Sequence, residues 1–452
     1  MEFEVTQDFI HSIQEAILRH DDVFIREKME DLHAADISGI LQELDTEESR
    51  YVLNLVNKEM GAEIISSLDE DVRKKFLRAF SPEELAQYIS YTDSDDAVDI
   101  INEQPIKIRE EVIELVELAN REKANHIRDL LHYEEDCAGG LMAKELIKAN
   151  INWTITQCIE EIRRQSKKVD KIFSVYVVDN SDKLLGIVSL KKMLLADDET
   201  RIADIYSSDI ISVESYRQAE EVAEIMQKYD LESIPVVNVH GKLLGRITID
   251  DVVDVITENA EQDIQMMAGI SDSTEEDASV WRISRVRLPW LLVGMLGGIL
   301  GARFIGLFEK DITNIPAMAF FIPLITATGG NVGIQSSSVV VQSLANKLGI
   351  GSFNSQKLFK GFLVAVINGI AISSLVFLIN MGIGEETRLA IVVSIALLSV
   401  VILSSFMGTI TPLILDKTGV NPAIASGPFI TTANDLLGLG IYFLVAHTLY
   451  HL

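Results

Sequence analysis

NPAIASGPFITTANDLLGLG, residues 421–440, lies in a long apolar run yet carries one carboxylate, Asp435, behind a Gly427-Pro428 break. A carboxylate at membrane depth costs roughly 2.5–3.5 kcal/mol on insertion scales, and such groups face a bundle interior or a wet pathway. The proline removes a helix donor and loosens the turn, which frees carbonyls near Thr431 to face an ion. Asp435 is therefore a candidate site residue on a cation path.

The run containing Asp435 is the last of five, at about 288–308, 315–344, 357–382, 388–415 and 422–449, the fourth and fifth interrupted by Pro412 and Pro428. Each is near or above the roughly 20 residues that a crossing helix needs. Trp281, Arg282, Arg285, Arg287 and Trp290 precede the first run as an interfacial signature. Lys347, Lys357 and Lys360 follow the second, whereas Glu309, Asp311, Glu385 and Glu386 mark the loops on the other side. The positive-inside rule then places the N-terminus in the cytoplasm and the C-terminus outside.

Charge divides at the same boundary. Before Arg282 there are 29 basic and 62 acidic residues, and from Arg282 onward 10 and 6. An acidic front half excludes nucleic acid as a partner, because phosphate binding needs a basic surface, and it suits divalent cations. The two cysteines, Cys137 and Cys158, form no disulfide framework and fit a reducing compartment. The acidic, charge-broken N-terminus lacks the pattern of a signal peptide.

Residues 1–135 show apolar spacing of three and four with capping signals at Asp45-x-x-Glu48, Asp69-x-x-Val72, Ser81-x-x-Glu84 and Asp93. This predicts short antiparallel helices stacked as a small α-solenoid. Asp95 and Asp99, in DSDDAVDI, share one face of a helix start, where an N-terminal charge cluster is also favourable by itself.

Residues 136–257 read as strand, turn, strand and helix, twice. YVVDNSDKLLGIVSL (176–190) recurs as PVVNVHGKLLGRITI (235–249), displaced by 59 residues. These units resemble tandem CBS domains, and the resemblance implies an α/β sensor module with an adenine nucleotide such as ATP open as its effector. Beyond Ile249, Asp251, Asp254, Glu258 and Glu261 follow helical spacing, concentrating charge that a cation would relieve or water would solvate. Residues 271–280 are polar and acidic and suit a linker.

Within the second run, PLITATGGNVGIQSSS (323–338) is too polar for a lipid-facing helix. Its small residues suit close helix packing, and Asn331 and Gln335 suit a pore lining. Hard cations such as magnesium take oxygen ligands and keep much of their water, so one Asp per chain, doubled by two-fold symmetry, fits them better than softer metals.

With these motifs in this order, the chain resembles the MgtE family of magnesium channels, over essentially its whole length. GGNVGIQ and NPAIASGPFITTANDLLG carry the resemblance. It implies a multidomain fold: an α-solenoid N domain (1–135), an α/β tandem CBS domain (136–257), a connecting plug helix and linker (258–281), and an all-α transmembrane domain of five helices (282–452). It also implies a homodimer in the cytoplasmic membrane whose pore cation is held near Asp435, Asn331 and the Thr431 backbone. Regulatory magnesium would bind at Asp95, Asp99, Glu220, Asp230, Asp251, Asp254 and Asp263, with Glu258 and Glu261 compensating for Gln218, Asn259 and Gln262. Asn421 stands where the family usually has Asp, removing one charge per subunit at the mouth.

The expected function is passive magnesium influx, closed by magnesium on the acidic half. The alternatives are a membrane-anchored CBS nucleotide sensor, or a transporter of manganese, cobalt or calcium or one coupled to protons. The sequence has no GxxxxGK[ST] loop, and Asp416-Lys-Thr-Gly419 is a short turn between spans, so an ATP-driven pump or other enzyme is not expected.

Overall fold

Ten short helices occupy Gln7 to Leu130 in the computed structural model, which describes residues 5–165, 172, 174–270, 280–345 and 355–450. Asp45 and Ser81 close capping boxes with Glu48 and Glu84. The cap side chain accepts the amide three residues on, and the glutamate accepts the cap's own amide. Asp69 and Asp93 also occupy N-cap positions but make no side-chain cap bond; Asp69 instead accepts from Gln42 Nε2 at 3.2 Å.

The chain forms two units, Met1–Thr257 and Glu258–Leu452. In the first, each repeat contributes one three-stranded sheet. Strand Ile147–Asn150 runs parallel to Val175–Val178, which pairs antiparallel with Leu184–Val188. Val213–Glu214, Ser233–Val237 and Leu243–Thr248 repeat that order. The matching turns are built alike: Asp179 Oδ1 accepts the amides of Ser181 and Lys183, and Asn238 Oδ1 those of His240 and Lys242, at 2.7–3.0 Å.

The two repeats are tied by exchanged edges. Ala143, before the first sheet, bonds in both directions with Arg246 of the second; Ser207, before the second sheet, does the same with Ile187 of the first. Gly186 and Gly245, equivalent in the repeat, make room for this. A Cβ on Gly245 would lie 2.6 Å from the Ala143 carbonyl oxygen, and one on Gly186 would overlap that of Ser207. The first repeat has its own core around Ile147, Val175, Val177 and Val188. The second shares one continuous core with the N-terminal helices, from Ile13 through Ile127 and Met142 to Val236 and Val252.

Among its described residues the second unit contains five helices long and apolar enough to cross a membrane: Val280–Gly306, Ile322–Ala345 with a preceding 3-10 turn Pro316–Phe321, Ser355–Ile383, Thr387–Lys417 and Pro428–Tyr450. The fourth packs against the second, third and fifth, burying Val393, Ala396, Val400, Leu439, Tyr442 and Phe443. Buried Tyr442 donates its hydroxyl proton to the Met318 carbonyl at 2.9 Å. Of the two expected interruptions, the one at Pro412 is absent, because that proline lies inside a helix that continues to Lys417, and the one at Gly427-Pro428 is present, with a new helix starting at Pro428. A first-turn proline loses no intrahelical bond. A separate 3-10 turn, Pro422–Ser426, precedes Gly427. The linker 271–279 and Lys347 lie outside the described residues.

Gly245→Ala should destabilise the first unit by about 1–3 kcal/mol through overpacking, whereas Gly39→Ala, where a Cβ meets only Val5 at 3.7 Å, should be neutral or stabilising. Thermal unfolding of the two variants beside the parent protein checks this.

Candidate cation sites

Asp435 lies two turns into the fifth span, half-buried, with its Oδ1 facing Gly330 of the second span: a Cβ built on Gly330 would sit 3.7 Å from that oxygen and 3.2 Å from Thr431 Cγ2. The structure thus brings Asp435 and Thr431 together against Gly330 of the GGN segment. Thr431 is already helical, its hydroxyl directed to the Gly427 carbonyl at 3.5 Å, so its own carbonyl points along the helix. Asn331 and Gln335 are exposed on one face of the second span, in line with Pro323, Ala327 and Val339. Amide side chains at this depth are poor lipid neighbours, and such groups face another helix or a wet cavity.

The opposite face of that span explains how Asp435 is held. Gly329, Gly330 and Gly333 are buried, and the fully buried Asn434 carboxamide is seated on Gly333 so closely that any Cβ there would overlap it. Gly408 of the fourth span covers the Gly333 carbonyl in the same way. Among the described residues neither polar atom of Asn434 has a hydrogen-bond partner. Sequence reasoning passed over Asn434 because nothing local separates it from other polar residues in the span.

In the first unit the acidic residues gather at the start of helix Ser94–Asn102. Asp95 and Asp96 there face Asp250 and Asp251 at the start of the connecting helix Ile249–Met267, and Asp93 and Glu145 lie close by. Asp251 Oδ2 accepts from the Thr248 amide and hydroxyl at 3.0 and 2.8 Å. Burial raises the Asp95 carboxyl well above the ordinary carboxylate range, and Asp251, Asp96, Asp93 and Glu145 add like charge. Burial likewise pushes Asp251 up to about 7 against its two hydrogen bonds, with Asp250 and Asp96 adding to it. Asp93 rises to about 6 through burial and Glu145, with Lys123 opposing.

Glu145 shifts the other way from its neighbours. Burial disfavours the Glu145 charge, but Lys123 at 3.3 Å and Ser94 outweigh it and hold its pKa below the usual range. Its carboxylate accepts from the Ser94 hydroxyl at 2.6 Å and amide at 3.0 Å, at the positive end of the helix. This pair was not legible in the sequence; Lys123 and Glu145 come from different parts of the chain and match no spacing rule.

The remaining predicted residues are more dispersed. Asp99 and Asp254 lie one turn beyond the half-buried Asp95, Asp96 and Asp251, and burial pushes Asp99 up to about 7 against Arg73, with Asp96 adding like charge; Glu220 and Asp230 are exposed at the two ends of helix Ala219–Tyr229. Glu258 and Glu261 are exposed further along the connecting helix, and Asp263 accepts a hydrogen bond from Asn421 Nδ2 at 3.0 Å. Among the described residues no three Asp, Glu, His or Cys side chains form a ready-made metal cage. The arrangement suits a hydrated cation bridging one or two carboxylates, as magnesium prefers.

Three family profiles match consecutive parts of the chain: an intracellular MgtE N domain at 32–136, CBS domains at 138–199 and 202–258, and MgtE, a divalent cation transporter, at 322–445. The magnesium transporter MgtE of Thermus thermophilus is 30% identical over 97% of this chain and 98% of its own length. The chain belongs to the MgtE family of magnesium transporters. The MgtE of Enterococcus faecalis is 35% identical over 72% of both chains. A crystal structure of the cytosolic domain of the Mg2+ channel MgtE in complex with ATP is 31% identical with a TM-score of 0.51, covering 54% of this chain and 99% of that one. MgtE proteins are transporters, and this chain is not an enzyme. The family also bears out the multidomain fold: helical N-terminal part, CBS pair and five apolar helices.

The buried carboxylates set a pH dependence. With unfolded values near 3.9 and Asp251 raised to about 7, the folded form binds more protons between these limits, so cation-free stability falls as pH rises from about 4 to 7 and stays low above it. Added magnesium should therefore raise the unfolding temperature of the first unit strongly at pH 8 and weakly at pH 5. Differential scanning fluorimetry at the two pH values, with Asp95→Asn as the variant that raises the cation-free midpoint and blunts the magnesium response, measures it.

Proposed function

We propose that the protein is a homodimeric magnesium channel in the cytoplasmic membrane, carrying passive influx and closed by magnesium bound to its acidic first unit. The observation that carries the reading is the polarity of the second span: it leaves Asn331 and Gln335 exposed in a single chain and seats half-buried Asp435 of the fifth span against Gly330. A second copy applied there by two-fold symmetry encloses a wet path with two Asp435 carboxylates and two Asn331 amides, and Thr431 stands one turn before Asp435 on the same helix. Such a ring holds a largely hydrated divalent ion and gives it up again, as conduction requires.

The first unit faces the cytoplasm in this reading, supported by the arginines before the first span and the acidic loops opposite. At low internal magnesium, Asp95 and Asp99 repel Asp251 and Asp254, and Glu220, Asp230, Glu258 and Glu261 add negative charge. The cytosolic parts separate and the connecting helix moves. At high magnesium, bridging ions favour the closed arrangement, to the extent that they bind it more tightly. The continuous helix Ile249–Met267 supports this coupling, because it carries Asp251 at one end and Asp263 near the other. An adenine nucleotide, by analogy with the ATP-bound relative, is the proposed modulator of the CBS pair.

Asp435→Asn should reduce magnesium uptake into proteoliposomes at least tenfold while leaving the protein folded and membrane-inserted. Full uptake by this variant would sink the channel reading in favour of a membrane-anchored sensor. Uptake driven by a pH gradient without a magnesium gradient would instead identify a proton-coupled transporter.

A further inference from the structure

Asn421 departs from an acidic pattern, and the structure shows what its amide does. Its Oδ1 accepts the Ala423 amide at 2.8 Å, capping the 3-10 turn Pro422–Ser426, and this fixes which way the carboxamide points. Nδ2 is thereby directed at the Asp263 carboxylate, to which it donates at 3.0 Å. Asp263 lies one turn from the end of the connecting helix.

That end is fitted to the helix break. The helix stops at Met267 and is closed by Gly269, with a φ of 76° that suits glycine, its amide bonded to the Met266 carbonyl and that of Ile270 to Gln265. Buried Gly269 faces Pro428, where a Cβ would come 3.0 Å from the proline ring. Buried Gly427 faces the Met266 and Met267 carbonyls, which would lie 3.4 and 3.2 Å from a Cβ there. The last turn of the helix is thus seated on the Gly427-Pro428 break, two turns before Asp435.

We infer that Asn421 is a positioning residue that latches the connecting helix to the start of the fifth span by a direct amide–carboxylate bond, so that this contact closes without a cation. An aspartate at 421 caps Ala423 equally well, but its second oxygen then meets the Asp263 carboxylate. Two carboxylates at that separation repel unless a proton or cation lies between them. The amide supplies the donor that a bound ion would otherwise have to replace, and Asp263 acts here as an acceptor in place of a magnesium ligand. Asp251 and its neighbours, at the other end of the same helix, keep their cation dependence. The inference deepens the gating reading and rests on it for its functional meaning.

The test is hydrogen–deuterium exchange of residues 260–270 in the full-length protein, in EDTA and in millimolar magnesium, run beside magnesium flux. The parent protein should be protected in EDTA. Asn421→Asp should exchange about tenfold faster in EDTA, the scale of one charge-assisted bond, and recover protection with magnesium. The swapped pair Asn421→Asp/Asp263→Asn restores a carboxylate facing an amide and should be protected in EDTA again. An unprotected parent segment in EDTA, protection of Asn421→Asp equal to the parent's, or failure of the swap to restore protection would each overturn the inference. Protection as predicted in a protein whose flux ignores internal magnesium would leave the latch standing and remove the gating reading instead.

Discussion

Keeping carboxylates together away from water is the constraint on which this structure turns. A buried unpaired charge is costly, and proteins normally neutralise or pair it. Here Asp95, Asp96 and Asp251 converge with raised proton affinity, and in that cluster Glu145 is held ionised by Lys123. The cluster stores repulsion that protons or a divalent ion release. Two of its members, Asp250 and Asp251, begin the connecting helix Ile249–Met267.

The membrane unit meets a related problem with different means. Asp435 is placed by backbone proximity: glycines on the second and fourth spans let three helices meet, and Asn434 fills the space on Gly333. Rotation of the fifth span is set by that seat, so the adjacent carboxylate faces Gly330. The exposed amides of Asn331 and Gln335 then form a polar face that a single chain leaves uncovered. Packing and polarity on opposite faces of one helix are what the GGNVGIQ segment encodes.

Much of this was legible in the sequence because the signals were local. Apolar length marked the five spans, the Asp45 and Ser81 capping boxes marked helix starts, and the 59-residue repeat marked the paired sheets. The two prolines behave differently although both stand within apolar runs: the interruption at Pro428 is present, a 3-10 turn and extended Gly427 preceding a new helix, whereas Pro412 lies inside a helix that continues to Lys417. Lys123 with Glu145, Asn434 on Gly333, and Asn421 with Asp263 are contacts between residues 22 to 158 positions apart or across packed helices. Their partners are chosen by tertiary packing, which no spacing rule registers.

The central claim is that magnesium passes along a path at Asp435 and closes that path through the acidic cluster. Channel currents across planar bilayers or excised patches, recorded while magnesium is titrated on the side of the first unit, test it most directly. The account predicts an open probability that falls as magnesium rises, and a response that is largely lost when Asp95 and Asp251 are both changed to Asn. Open probability independent of magnesium in the parent protein, or an undiminished response in the double variant, would contradict it.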